Sequence, residues 1–201
     1  MFLASPLTGP LARTFHLQAH NQGAVITIAT DACPWGMGAI LVVNGVIMAY
    51  FAIRIARQDE LILRTPAASA DGQQVWEALT TLIALRVWAP IWRHRRVRLR
   101  MRTDNMTAIA LVQHLKGKGF ALSSIAREMA LDIASSEYEP DVVEHLPGVM
   151  NVVPDKLSRK YEPGKHFTLP EVLSQAKEVH PPERSLSWWR AYSSRTAPPS
   201  A

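Results

Sequence analysis

The sequence predicts an α/β protein, and three observations carry that reading. Three apolar, β-branched segments follow one another near the start, with Asn44-Gly45 between the second and third. Apolar positions at helical spacing then appear in longer segments. A run that alternates apolar and arginine residues, 97-VRLRMRTDN-105, interrupts those helical stretches.

The elements follow in order. Residues 24 to 30, 37 to 43 and 46 to 53 read as strands, and Asn-Gly is a strong signal for a two-residue hairpin turn joining the last pair. A polar connection containing Arg57, Gln58, Asp59 and Glu60 comes next. Asp71 is placed to cap a helix starting at Gln73, with Val75, Leu79, Leu82 and Ile83 on one face and Glu77 carried along it. The arginine-alternating segment is a fourth strand, ending in Asp104. Helices are expected at about 106 to 115 and 122 to 137, the second marked by Leu122, Ile125, Met129 and Ile133. Residues 141 to 146 form a short fifth strand closed by Pro147-Gly148, and 151 to 160 a last helix bearing Asp155.

From Tyr161 onward the composition shifts: six of the fourteen prolines lie at 163, 170, 181, 182, 198 and 199. The expected organisation is a leader or linker over 1–23, one folded domain over 24–160, and a proline-rich tail over 161–201. In that tail a short helix from Glu171 to Val179 and the pair Trp188-Trp189 are expected to dock, while SSRTAPPSA is expected to be disordered.

Composition narrows the function classes. With 201 residues, 48% of them hydrophobic, the chain supports one well-filled core. Its single cysteine, Cys33, excludes an internal disulfide. No apolar run reaches the about 20 residues needed to span a bilayer. The N-terminus is broken by Pro6 and Pro10 and makes a poor signal peptide. An intracellular location, cytoplasmic or nuclear and without a membrane partner, is the expectation. The net charge of +5 is unevenly placed: no acid falls between Ala78 and Thr103, where Arg86, Arg93, Arg95, Arg96, Arg98, Arg100 and Arg102 are interleaved with Trp88 and Trp92. Such a stretch suits a nucleic-acid backbone, or else is a solvated basic face, or docks the tail through Glu171, Glu178 and Glu183. Because arginines alternate with Val97, Leu99 and Met101, one face of the fourth strand should be open or only partly covered.

Four acids stand out by position: Asp31 at the end of the first strand, Glu77 on the first long helix, Asp104 at the end of the fourth strand, and Asp155 near the start of the last helix. Each alone has a plainer explanation as a cap, a turn opener or a solvated residue. Together they converge on one cluster if the first and fourth strands are neighbours. Packed carboxylates repel, so they take up protons or bind cations. Oxygen ligands favour magnesium or manganese over zinc. Two such ions about 3.5 to 4 Å apart activate a water and stabilise the leaving oxygen of a phosphodiester.

The segments TDACPWGMGA at 30–39, QQVWEAL at 73–79, RTDN at 102–105 and EHLPGVMNVVPDKLSR at 144–159 give the chain a specific likeness. In this order they resemble the ribonuclease H domain of retroelement reverse transcriptases, and LRVW at 85–88 and AREMALDIA at 126–134 resemble DIRS-type and related elements. The resemblance implies a ribonuclease H-like fold, a mixed five-stranded sheet whose first three strands are antiparallel, with helices on both faces. It implies hydrolysis of the RNA strand of an RNA–DNA hybrid with two Mg2+ ions, replaceable by Mn2+. In that scheme Asp31, Glu77, Asp104 and Asp155 are both catalytic and metal-ligating. Asp31 bridges the ions, Glu77 and Asp104 hold the one nearer the nucleophile, and Asp155 completes the second site. Substrate contacts are expected at Asn105, Asn151, Arg93, Arg95 and Arg96. A polymerase domain of the same polyprotein is an expected partner. The alternative is a catalytically inactive nucleic-acid-binding module on the same fold.

Three departures from the family pattern accompany the match. Cys33 stands for the usual serine, which would make the site oxidation-sensitive, and Pro154 stands for alanine. The loop before Asn151 is short and lacks the mobile histidine of bacterial and retroviral enzymes, since His145 belongs to the preceding strand.

Overall fold

A computed structural model of the chain describes residues 24–92, 97–135, 142–145 and 151–191. Strands β1 (Ala24–Cys33), β2 (Gly36–Val43) and β3 (Val46–Arg54) form an antiparallel meander. The β2–β3 turn is built by Asn44 and Gly45, whose φ angles of 49° and 86° fit the paired left-handed positions of a tight hairpin. Asn44 also accepts a 2.9 Å hydrogen bond from the Val25 backbone through Oδ1, tying the turn to β1.

Strand β4 (Val97–Thr103) runs parallel to β1, and β5 (Val142–His145) parallel to β4. The expected five strands are therefore present in a mixed sheet with an antiparallel start. A sixth, β6 (Lys177–Glu178), is added by the C-terminal segment and pairs with Ala49 and Tyr50, giving the order β5-β4-β1-β2-β3-β6.

Helices lie on both faces. On one side α2 (Gln73–Trp92) packs on β1 and is covered in turn by α3 (Met106–His114) and α4 (Gly119–Ala134). Being sandwiched, α2 buries Trp76 through Leu85 continuously rather than along the single stripe the spacing predicts. On the other side α5 (Val152–Ser158) lies across β1, β2 and β3. The glycines of β2 set this approach. A Cβ on Gly38 would meet Leu157 Cβ, the Pro154 carbonyl oxygen and the Ser158 nitrogen, each at 2.6 Å.

Two local expectations are corrected. The polar connection after β3 is a helix, α1 (Arg57–Leu63), because Asp59, Ile62 and Leu63 are buried and Asp59 Oδ2 accepts from the Ala56 backbone N–H. Asp71 does not cap α2. Ser69 Oγ accepts from the Asp71 backbone instead, and a 3-10 turn over Ala70–Gly72 leads into the helix.

The C-terminal segment folds back over the domain. A helix over 171–179 does not form: a 3-10 turn at Glu171–Leu173 places Leu173 in a small core with Ala29, Ile40, Tyr50, Ala52 and Leu157, and the chain then extends into β6. The expected docking of the tryptophan pair is present, with Trp189 1% exposed in the main core. Docking runs through the tail's own arginines. Arg184 pairs with buried Asp59 at 2.7 Å, and Arg190 pairs with Asp132 at 3.2 Å. Asp132 and Glu128 on α4 also hold Arg86 of α2, at 2.7 and 2.6 Å, and Glu128 accepts from the backbones of Arg190 and Ala191. Glu178 pairs with Lys160, not with an arginine of the basic run. The expected leader (1–23), the arginines at 93, 95 and 96, and the final nine residues lie outside the described residues. Among the described residues no helix is long and apolar enough to cross a membrane.

Candidate active site

The sheet order puts β1 beside β4, and their parallel register, Ala29 opposite Arg102, carries the ends of both strands to one place. Asp31 projects there from β1 and Asp104 from just beyond β4. Glu77 reaches the same place from the second turn of α2. One carboxylate oxygen of each lies within 4.8 Å of the other two.

Asp31 is 6% exposed and its Oδ2 accepts a 2.6 Å hydrogen bond from Ser158 Oγ. Burial pushes its pKa from 3.8 to about 7; the Ser158 bond opposes the rise, and the charges of Asp104 and Asp155 add to it. Glu77 is 3% exposed and sits well above the ordinary carboxylate range, through burial first and the Asp31 charge second. Its Oε1 accepts from Gln73 Nε2 at 3.0 Å, while Oε2 is enclosed with no hydrogen-bond partner. Gln73 Nε2 also reaches the Ala32 carbonyl, so one amide holds Glu77 against β1. Thr30 and Thr81 meet at 3.3 Å and add a second tie between β1 and α2.

The fourth expected acid stands apart. Asp155 lies on α5 with its side chain 40% exposed, and its Oδ1 accepts from Arg159 Nε at 2.7 Å. The structure thus gathers Asp31, Glu77 and Asp104 into the tight group and holds Asp155 at its flank, near enough for its charge to raise Asp31.

The two asparagines have structural tasks. Asn105 Oδ1 accepts from the Thr107 and Ala108 backbones at 2.8 and 3.0 Å, capping α3 and fixing the chain directly after Asp104. Asn151 is 1% exposed, and its Nδ2 donates to the Thr30 carbonyl at 3.0 Å, anchoring the start of α5 to the residue before Asp31. Cys33 is 1% exposed, its Sγ donates to the Ser158 carbonyl, and burial pushes its thiol pKa up. An enclosed, protonated thiol is a poor target for oxidation, contrary to the expectation from sequence. Sequence reasoning missed Ser158 and Gln73 as supports, although both lie inside the quoted motifs.

The donor set suits a divalent cation. Every available ligand is a hard oxygen, a buried Glu77 oxygen has no hydrogen-bond partner, and two of the three acids are pushed toward protonation by burial and by their neighbours' charge. These are the features a bound divalent cation would relieve.

No protein-family profile matches the chain. No curated protein matches it either. Among solved structures it is similar to RNase H1 from the halophilic archaeon Halobacterium salinarum NRC-1, at 15% identity and a TM-score of 0.50, over 66% of this chain and 93% of that one. It is also matched, at 16% identity and a TM-score of 0.48, to LC11-RNase H1 isolated from compost by a metagenomic approach, over 69% of this chain and 94% of that one. The N-terminal RNase H domain of Rv2228c from Mycobacterium tuberculosis gives 14% identity and 0.46, over 67% and 94%. The archaeal likeness, together with the mixed sheet and its flanking helices, identifies the architecture: the chain has a ribonuclease H-like fold.

Proposed function

We propose that the chain is a metal-dependent endonuclease that hydrolyses the RNA strand of RNA–DNA hybrids, and that it is the ribonuclease H domain of a retroelement reverse transcriptase or derives from one. The observation that carries the reading is the group of Asp31, Glu77 and Asp104, within 4.8 Å of one another and holding an unpartnered buried oxygen, on a ribonuclease H-like fold. The retroelement lineage rests on the four sequence motifs in order. The catalytic domain in this proposal spans 24–160, with the tail as an appended segment.

Asp31, Glu77 and Asp104 would hold the first cation, and Asp31 with Asp155 the second. Bound there, Mg2+ or Mn2+ supplies a nucleophilic water at neutral pH and charge stabilisation for the leaving oxygen. The protein's own contribution is preorganisation. Ser158 Oγ fixes the Asp31 carboxylate, Gln73 fixes Glu77, and the Asn105 cap fixes the peptide after Asp104, so each ligand is held by a second group. Arg159 holds Asp155 in one orientation and supplies positive charge beside the cleft. Burial of Asp31 and Glu77 keeps bulk water from competing for their oxygens.

The test is cleavage of an end-labelled RNA–DNA hybrid in Mg2+ or Mn2+. The RNA strand is expected to be cut and the DNA strand left whole. Asp104→Asn should lower the rate by more than about 100-fold, the upper end for loss of a mere supporting partner. Folded protein that retains the hybrid and cuts nothing with either metal would establish the inactive binding module instead.

A further inference from the structure

Strand β4 carries two arginines, Arg100 and Arg102, on the approach to the carboxylate site. Leu99 and Met101 are buried on the α2 side, so the alternation of a strand sends Arg100 and Arg102 to the opposite face. That is the face α5 covers over β1, β2 and β3, while α3, the helix beside β4 and β5, packs with α2 and α4 on the other side. Arg100 and Arg102 are accordingly only half-buried. No described acid pairs with Arg100, and its Nε is enclosed without an acceptor.

We infer that Arg100 and Arg102 form a phosphate-binding track on this open sheet face, gripping the backbone of a nucleic-acid strand as it leaves the carboxylate cleft. The inference rests on the hybrid-cleaving reading above for the identity of the strand. At about 3.3 Å per residue, Arg102 and Arg100 lie roughly 7 and 13 Å back along β4 from Asp104, in line with the cleft. Guanidinium groups match phosphate oxygens in a bidentate fork. A phosphodiester backbone is favoured over an acidic peptide because the track runs directly into the place where a phosphodiester would be cut. It also lies in a stretch without an acid from Ala78 to Thr103.

The experiment measures affinity of the full chain for an RNA–DNA hybrid by fluorescence anisotropy, in chelator so that nothing is cleaved, across a salt series. Arg100→Gln should weaken binding and lower the slope of log K against log salt by about 0.9 for the lost phosphate contact. Adding Arg102→Gln should lower it further, and Arg100→Lys should restore most of the slope. Melting curves in the same buffer show whether the variants are folded. A second measurement needs no variant: a hybrid with photoreactive groups on its backbone should crosslink to the 97–103 peptide of the unaltered protein. An unchanged slope in the folded double variant, no crosslink to that peptide, or a parallel titration with polyglutamate in which Arg100→Gln abolishes binding while hybrid binding is untouched would overturn the track. Failure of the two readings is separable, since a track without cleavage sinks only the hydrolysis, and cleavage with an unchanged slope sinks only the track.

Discussion

Replacing Asp31 by asparagine in the metal-free protein removes a charge that the fold holds at a loss. The Asp31 pKa is raised from 3.8 to about 7, chiefly by burial. At about 1.4 kcal/mol per pH unit, keeping it ionised costs the metal-free domain about 4 kcal/mol. Glu77 is pushed in the same direction and titrates with it, so part of that cost belongs to the pair, and asparagine should recover about 2 to 4 kcal/mol. Asparagine keeps an oxygen for the Ser158 hydroxyl, so the substitution need not cost that bond. The sign with pH follows from proton binding. The folded carboxyl binds its proton more tightly than the unfolded one, so the native state holds more protons between pH of about 4 and 7. Metal-free stability therefore rises as pH falls through about 7 and levels off near 4. Thermal melting in chelator is the assay. At pH 8 the variant should melt about 5 to 15 °C above the unaltered protein, and the gap should narrow at pH 5.5. A variant that melts at or below the unaltered protein at pH 8, or an unaltered protein destabilised between pH 7.5 and 5.5, would refute the reasoning.

Two further outcomes test how the fold positions the site. Gly38→Ala forces a Cβ to within 2.6 Å of three atoms of α5, so the helix must lift off β2; hybrid cleavage and melting temperature should fall together, and an unchanged protein would mean that α5 is not held as described. Arg184→Met leaves Asp59 buried at 0% side-chain exposure without its cation, and should cost about 3 to 5 kcal/mol in denaturant unfolding while making the C-terminal segment sensitive to protease. A loss under about 1 kcal/mol would show that the tail does not depend on this pair.

The parts of the fold that sequence disclosed are those fixed by neighbours along the chain. Asn44-Gly45 announces its own turn, and the alternation in β4 correctly separates Leu99 and Met101 from the arginines between them. Asp31, Glu77 and Asp104 could be grouped from sequence because the order of the elements was readable: a parallel β1–β4 pair brings Asp31 and Asp104 together at the strand ends, and Glu77 lies near the start of the helix packed on β1. What stayed hidden depends on partners far away in sequence. Helix α1 reads as a polar loop because Asp59 is burdened with a charge that Arg184 neutralises from 125 positions further on. Arg86 reads as part of a basic run, yet it is committed to Glu128 and Asp132 and lies against the Trp188 ring. The stripe expected on α2 fails because helices cover the side that would otherwise face water. Asn105, expected to contact substrate, spends its oxygen on the α3 cap, an option every asparagine before a helix offers.

The central claim is that Asp31, Glu77 and Asp104 make a divalent-cation site, and calorimetric titration of the purified chain with Mn2+ at pH 7 tests it most directly. Repeating the titration in buffers of different ionisation enthalpy counts the protons released. The account predicts saturable binding accompanied by proton release, because burial raises the proton affinity of Asp31 and Glu77 and a cation must displace those protons to bind. It predicts that Asp31→Asn weakens binding and abolishes most of the release. Folded protein that shows no saturable Mn2+ binding at millimolar concentration, or an Asp31→Asn variant that binds as well as the unaltered chain, would contradict it.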